Sequence, residues 1–135
     1  MKTTNLQKVI IISRVLIKDD RGWFLKAING NEDYLPSHTG EIYFTNATPG
    51  QVKGKHYHIN AQEWFTLIQG SAELKLEDVE TKETRSIFMT AEKPITIYIP
   101  PYVAHAIYNH SDNDFILCAY TDVLYDPTDT IPYTL

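Results

Sequence analysis

Apolar and polar residues alternate along several short segments of this chain, and turn-forming residues separate the segments. The run Ala72–Glu77 alternates strictly, as a half-buried strand does, and Gln69-Gly70-Ser71 before it is typical of a tight turn. No window of a dozen residues shows a helical period, so the pattern predicts an all-β sandwich or barrel and not a βαβ fold. The predicted strands are 8–12, 14–17, 23–28, 40–46, 62–69, 71–78, 84–89, 95–99, 104–109 and 114–121.

The length and net charge of the chain exclude several classes of protein. A chain of 135 residues suits one domain, and its net charge of -5 argues against a nucleic-acid or anionic-membrane surface. No apolar run approaches the length of a membrane span, and no secretory signal is visible. The single cysteine, Cys118, excludes an intrachain disulfide and favours a reducing compartment, so we expect a cytoplasmic protein.

Four side chains are the main candidates for chemistry. His56 and His58 are two residues apart, so in a strand they point to the same side. Glu63 begins the next predicted strand, and His105 comes from a later one. Such groups converging inside a barrel could bind a divalent metal or form a proton-transfer site, and the residues leave both possibilities open.

The spacing of these residues resembles a known family pattern. Gly50, His56, His58, Glu63 and Gly70 match the first motif of the cupin superfamily, G-x5-H-x-H-x4-E-x6-G. A weaker second motif contains Pro100, His105 and Asn109. The resemblance implies a cupin double-stranded β-helix, a jelly-roll barrel, as a single domain over residues 1–135.

Three branches of the superfamily have similar elements. Asp19–Phe24 resembles the D-x-R-G-x-F element of the dTDP-4-dehydrorhamnose 3,5-epimerases, and Ile99–His105 resembles their I-P-x-G-x-A-H. Tyr125–Asp129 resembles a segment of the dTDP-4-keto-6-deoxyglucose 3,4-ketoisomerases. Pro49–His58 resembles the cupin domain of capsule-sugar reductase/epimerases. Spacing alone does not choose among the three.

All three branches imply a substrate that is a nucleotide-diphospho 4-keto-6-deoxy sugar, with dTDP the expected nucleotide. The implied reaction is proton abstraction next to the C4 ketone, leading to 3,4-ketoisomerisation or to 3- or 3,5-epimerisation, in deoxysugar biosynthesis for surface polysaccharide. The ketoisomerases and epimerases require no cofactor. A divalent metal (Zn, Mn, Fe or Ni) is the alternative, with His56, His58, Glu63 and His105 as its ligands.

The resemblance also implies roles for individual residues. The catalytic candidates are His56 as the base, His58 as its partner and Tyr43 as a proton donor or sugar contact. The candidates for binding substrate are Arg21, Lys53, Glu63, Tyr102, His105 and Tyr108, with Arg21 and Lys53 facing the pyrophosphate.

Two other functions remain open. One is a metal-dependent cupin enzyme of another kind, such as a dioxygenase or small-acid isomerase. The other is a non-catalytic sugar-binding cupin. In each case we expect a homodimer in which an N-terminal strand containing Val9–Ile12 is shared between subunits, and an extended C-terminal tail from Tyr125.

Overall fold

The computed structural model describes residues 3–135 and confirms the all-β prediction. The described chain forms twelve strands: β1 Ile10–Ser13, β2 Leu16–Asp19, β3 Gly22–Leu25, β4 Ile42–Ala47, β5 Val52–His58, β6 Glu63–Gln69, β7 Ser71–Asp78, β8 Thr84–Thr90, β9 Ile95–Ile99, β10 Val103–Tyr108, β11 Phe115–Thr121 and β12 Thr130–Pro132. Two short 3-10 helices, Asn5–Lys8 and Pro127–Asp129, complete the elements. None of the described helices is long and apolar enough to cross a membrane.

Two five-stranded antiparallel sheets form the jelly roll. One has the strand order β1-β9-β6-β11-β4, and the other has the order β12-β5-β10-β7-β8. Strands β2 and β3 form a separate hairpin. Because consecutive strands often belong to different sheets, the chain repeatedly crosses the barrel, and β5 and β6 lie on opposite sides of its opening.

The core lies between the inner faces of the two sheets. The alternation in β7 matches its burial: Ala72, Leu74 and Leu76 are buried, and the residues between them are half-buried. Strands β6, β9 and β11 contribute Phe65, Leu67, Ile97, Ile99, Leu117 and Ala119 to the same apolar cluster. Burying these side chains supplies the main driving force for the fold.

The sequence pattern did not predict strands β5 and β12, and several predicted strands begin or end at residues different from those in the structure. Strand β5 has the sequence VKGKHYH, whose glycine and lysines are unfavourable in a regular strand. Strand β12 has three residues, too few for a periodic signal. Predicted strand 8–12 begins one residue inside a 3-10 helix, and β1 starts at Ile10.

The N-terminal segment is attached to the barrel by the buried carboxylate of Asp78. This carboxylate accepts hydrogen bonds from Thr4 Oγ1 at 3.0 Å and Asn5 N at 2.5 Å, and from the backbone amide of Glu80 at 2.9 Å. Leu6 and Val9 then enter the core cluster. Strand β1 pairs with β9 of its own chain, at one edge of the first sheet. Exchange of this strand between subunits stays a prediction.

Replacing Asp78 by alanine should lower the free energy of unfolding by about 1–3 kcal/mol, because the part-buried donors of Thr4, Asn5 and Glu80 lose their buried acceptor. Urea denaturation at neutral pH measures this, and the exposed Asp112→Ala is the control, with an expected change within about 0.5 kcal/mol. Burial opposes ionisation of Asp78, but the amides of Asn5 and Glu80 lower its pKa to about 2.

The Asp78 contribution is therefore present above the ordinary pKa of 3.8 and is lost as pH falls through about 2. The difference between the wild type and Asp78→Ala should shrink over this range. A difference that does not change with pH would show that the charge of Asp78 is not what holds the segment.

Candidate functional site

A cavity of about 320 Å³ opens at one end of the barrel, within the size range of small-molecule sites. Its walls come from β4, β5, β6 and the segment that follows β11. The lining residues are Glu41, Tyr43, His56, His58, Ala61, Glu63, Thr121, Val123, Leu124, Tyr125, Asp126, Asp129 and Thr130. His105 lies behind them, buried on β10.

A bulge in β5 directs the two cavity histidines. Strand β5 pairs with β10 so that His56 faces His105, and the register shifts by one residue beside this pair. Gly54 and Lys55 have positive φ values of 89° and 63° at the shift. A Cβ on Gly54 would lie 2.8 Å from the carbonyl oxygen of His105, so only glycine allows the strands to approach here.

Glu63 lies at the centre of the histidine cluster. Its side chain is 3% exposed, and Oε1 lies 2.9 Å from His58 Nε2 and 3.2 Å from His105 Nε2. The second oxygen, Oε2, accepts a hydrogen bond of 3.4 Å from the Tyr43 hydroxyl. The rings of His56 and His105 meet edge to face, with centroids 4.8 Å apart.

The protonation of His58 and His105 is constrained by backbone carbonyls. His58 Nδ1 lies 3.0 Å from the carbonyl oxygen of Asp129, and His105 Nδ1 lies 3.2 Å from that of Val103. A carbonyl oxygen only accepts, so each Nδ1 carries a proton, and a ring with no second proton directs its Nε2 lone pair at Glu63 Oε1.

When both rings are neutral, the Nε2 lone pairs of His58 and His105 point at a lone pair of Glu63 Oε1, and none of the three atoms supplies a hydrogen-bond donor. Within residues 3–135, Glu63 Oε1 and His105 Nε2 are buried without a hydrogen-bond partner. A proton on His58 Nε2 would satisfy one contact, and a divalent cation would satisfy both. Ligand atoms of His56, His58, Glu63 and His105 lie within 4.8 Å of one another. This donor set fits a divalent transition metal.

The cavity favours a neutral imidazole beside a protonated phenol. Burial and the neighbouring His105 and His58 lower the pKa of His56 to about 4. Burial and the Glu63 carboxylate raise the pKa of Tyr43 well above its ordinary range. Although burial opposes it, the Glu63 carboxylate also raises the pKa of His58, and His105 and His58 together lower that of Glu63.

The structure brings together Tyr43, His56, His58, Glu63 and His105, and leaves the two expected cations apart from them. Lys53 pairs with core residue Ile107, which places it on the inner face of β5, but its side chain is exposed and is not part of the cavity lining. Arg21 lies on the separate β2–β3 hairpin, where its 90% exposed side chain pairs with Asp19. No wall residue of the cavity comes from this hairpin in the described chain.

The two expected aromatic contacts face away from the cavity. Tyr102 lies in a turn with φ of 65°, and its ring approaches Tyr57 on the outer side of β5. Tyr108 is three residues from His105, so it points to the opposite face of β10. Its ring stacks on His110, and its hydroxyl donates to the carbonyl of Leu135. Strand alternation explains the placement of Tyr108, the turn conformation directs Tyr102, and neither ring lines the cavity.

Sequence analysis missed the wall that the C-terminal residues build. Tyr125, Asp126, Asp129 and Thr130 line the cavity, as does Glu41 just before β4. The Tyr125–Asp129 resemblance was the one available signal, but it gave no location for the individual residues. Gly40 packs so closely on Val123 that an added Cβ would overlap its backbone, which keeps this wall against the barrel.

The comparison with protein families identifies the chain. Residues 17–133 match the family model described as the polysaccharide biosynthesis C-terminal domain. The chain belongs to this family. A relative of the chain, the spore coat polysaccharide biosynthesis protein SpsL of Bacillus subtilis (strain 168), is 30% identical over 114 residues, covering 81% of this chain and 75% of SpsL.

A longer relative contains the match as one part. The UDP-2-acetamido-2,6-β-L-arabino-hexul-4-ose reductase of Pseudomonas aeruginosa (strain PA103) is 27% identical over 108 residues, or 80% of this chain. The chain spans 27% of the length of that reductase.

Solved structures confirm the expected RmlC-like cupin fold of this family member. A dTDP sugar isomerase from Desulfovibrio desulfuricans G20 has a TM-score of 0.88 at 18% identity, over 99% of this chain and 88% of its own. The epimerase RmlC from Legionella pneumophila Philadelphia 1 has a TM-score of 0.78 at 17% identity, over 91% of this chain and 71% of its own. The sugar 3,4-ketoisomerase QdtA from Thermoanaerobacterium thermosaccharolyticum has a TM-score of 0.76 at 23% identity, over 93% of this chain and 88% of its own.

Gly54→Ala should destabilise the protein more than Gly50→Ala does. Both glycines have positive φ, 89° and 81°, and this conformation alone costs an L-residue about 1–2 kcal/mol. A Cβ at Gly50 meets nothing within 4 Å, whereas at Gly54 it meets the His105 carbonyl. Urea unfolding of both variants measures the difference, and equal losses would show that the close approach of β5 and β10 is not required.

Proposed function

We propose that the chain is a sugar-nucleotide isomerase or epimerase of polysaccharide biosynthesis. Its substrate is a nucleotide-diphospho 4-keto-6-deoxy sugar, and it moves a proton on a carbon next to the C4 ketone. The observation that carries this proposal is the pairing of His56, neutral and able to accept a proton, with Tyr43, protonated and able to donate one, across a single cavity.

The proposed chemistry assigns one role to each group. The ketone acidifies the neighbouring C–H bond, and His56 takes that proton, leaving an enolate whose negative charge lies on the former ketone oxygen. In the free protein the Tyr43 hydroxyl donates its single proton to Glu63 Oε2, and with substrate bound it would turn that proton to an oxygen of the sugar. Protonation of that carbon on the opposite face, with Tyr43 as the donor, gives the epimer, and exchange with solvent restores both groups. For the ketoisomer, the C4 oxygen takes up a proton to form the enediol. The C3 hydroxyl then loses its proton and C4 gains one from His56, which leaves the ketone at C3.

The remaining cluster would hold a cation in this proposal. His58 and His105 contact Glu63 Oε1, whereas His56 makes no ion pair with Glu63 in the described residues. We therefore assign His58, Glu63 and His105 as ligands and keep His56 as the base. A divalent metal bound there would supply Lewis-acid polarisation of the sugar carbonyl.

The names of the relatives support the substrate class. The Pseudomonas relative is named for a UDP-linked hexulose, and the Legionella and Thermoanaerobacterium structures are described as complexes with dTDP-4-keto-L-rhamnose and with TDP. Both uridine and thymidine nucleotides are thus candidates. A metal-dependent cupin enzyme of another kind is the second candidate, favoured by the convergent lone pairs at Glu63.

The wild-type protein should exchange solvent deuterium into C3 or C5 of dTDP-4-keto-6-deoxyglucose or its UDP counterpart, as seen by proton NMR in D2O. His56→Asn should lower the exchange rate by about 100- to 10,000-fold, because the general base is lost. His38→Asn, an exposed histidine outside the cavity, is the matched control and should exchange normally. A wild type that exchanges neither substrate contradicts the proposal.

Metal analysis after dialysis against zinc or cobalt should find one ion per wild-type chain. His105→Ala and Glu63→Ala should lose this ion, while His56→Asn should keep it and lose only exchange. His110→Ala, whose ring binds Glu73 on the outer surface, is the control. Equal metal content in all variants would show that the cluster is not the binding site. Bound metal without exchange would favour the second candidate.

A further inference from the structure

Four carboxylates, and no lysine or arginine, line the cavity in the part of the chain that the structure describes. They belong to Glu41, Glu63, Asp126 and Asp129. A diphosphate is negatively charged and is bound by cationic groups, so these walls repel it. The part of a sugar nucleotide that suits the cavity is therefore the uncharged sugar, whose hydroxyl and amide groups can donate hydrogen bonds to a carboxylate.

The four carboxylates differ in how far the protein already uses them. Glu63 faces two imidazoles and a phenol, and Asp129 accepts hydrogen bonds from three backbone amides of the turn between β5 and β6. Asp126 is exposed and caps the 3-10 helix that follows it. Glu41 is half-buried, and its Oε1 accepts a hydrogen bond from the backbone amide of Tyr125. Among residues 3–135, its Oε2 has no hydrogen-bond partner.

The protein fixes the position of Glu41 before any ligand binds. Its amide donates to Thr121 Oγ1 at 3.2 Å, and its carbonyl oxygen accepts from Thr121 N at 2.8 Å, which continues the pairing of β4 with β11. The bond from the Tyr125 amide then orients the carboxylate. Such an acceptor loses little conformational freedom when it binds a ligand. Glu41 and Tyr43 both line the cavity, and two residues along a strand place their Cα atoms about 7 Å apart.

The proposed substrate offers few donors to this acceptor. In a 4-keto-6-deoxy sugar, C1 carries the nucleotide, C4 carries the ketone, and C6 is a methyl group. Under the proposed function, C3 and C5 flank the ketone at the reacting centre, and the C3 hydroxyl faces His56 and Tyr43. The donor that remains for Glu41 is the substituent on C2, which is either a hydroxyl or the N–H of an acylamino group.

We propose that Glu41 is a specificity-determining residue, whose Oε2 accepts a hydrogen bond from the hydroxyl or acylamino group on C2 of the sugar. The inference rests on the proposed function and adds to it the substituent that the site selects. A hydrogen bond to a carboxylate is stronger than one between neutral groups. Sugar nucleotides without a donor on C2 therefore bind more weakly.

The test measures how strongly the protein prefers a donor on C2. Titration calorimetry gives the dissociation constants of dTDP-4-keto-6-deoxyglucose and of its 2-deoxy analogue, and the UDP counterparts are measured in the same way. The protein carries His56→Asn, so that loss of the proposed base prevents turnover during the titration. It should bind the 2-hydroxy ligand about 10- to 100-fold more tightly than the 2-deoxy ligand, as expected for a hydrogen bond to a charged group.

Glu41→Gln, added to this background, changes the acceptor with little change in shape. Its amide oxygen can still accept from the Tyr125 amide, so the cavity wall stays in place. The group that faces the sugar becomes a neutral NH2, and the preference for the 2-hydroxy ligand should fall by about 5- to 10-fold. Glu41→Leu, which has no hydrogen-bonding group, should abolish the preference. If Glu41→Leu does not fold, Glu41→Gln decides alone.

Asp112→Asn is the matched control for charge. It removes one negative charge at an exposed position outside the cavity lining and should keep the full preference. The ratio of the two dissociation constants isolates the hydrogen bond, because both ligands carry the same diphosphate. A general effect of charge strengthens or weakens their binding alike.

Two results would overturn the inference and leave the proposed function in place. One is equal binding of the 2-hydroxy and 2-deoxy ligands by the His56→Asn protein, and the other is an unchanged ratio after Glu41→Gln. If the protein binds neither ligand with either nucleotide, the proposed function itself is wrong, and the inference is wrong with it.

Discussion

The antiparallel pairing of β5 with β10 is the constraint on which the rest of the site depends. It places His56 opposite His105 and requires a glycine at position 54, where the His105 carbonyl leaves no room for a side chain. The bulge at Lys55 keeps Lys53 and His56 on the inner face, although their positions differ by three. The turn after β5 then returns the chain to the opposite sheet, so Glu63 meets His58 and His105 from the other side of the barrel.

The surroundings of Glu63 explain how a small barrel holds polar groups inside an apolar core. A buried carboxylate is costly without partners, and here one oxygen faces two imidazoles while the other accepts from Tyr43. The same low-polarity environment keeps His56 neutral and Tyr43 protonated. The burial that stabilises the fold thus also prepares both groups for proton transfer at neutral pH.

Local alternation predicted most strands, and i, i+2 spacing placed His56 and His58 on one face of a strand. The resemblance to the cupin motifs added Glu63 and His105 to this group. The rule of alternation, applied to Tyr108, would have shown that it faces away from His105. Strand β5 escaped prediction because its bulge breaks the alternation. The contact between Asp129 and the β5–β6 turn joins residues about seventy positions apart, and no local pattern encodes it.

The cavity has two walls of different origin. The reacting groups stand on strands whose other positions fill the core, so substitutions there are restricted by packing. The facing wall comes from Leu124, Tyr125 and Asp126, which are exposed and belong to no sheet. The side chains of Leu124 and Tyr125 are exposed and fill no core position, whereas Asp126 caps the following 3-10 helix. Under the proposed function, a library restricted to Leu124 and Tyr125 is therefore the route to altered substrate preference that leaves the packed strands unchanged.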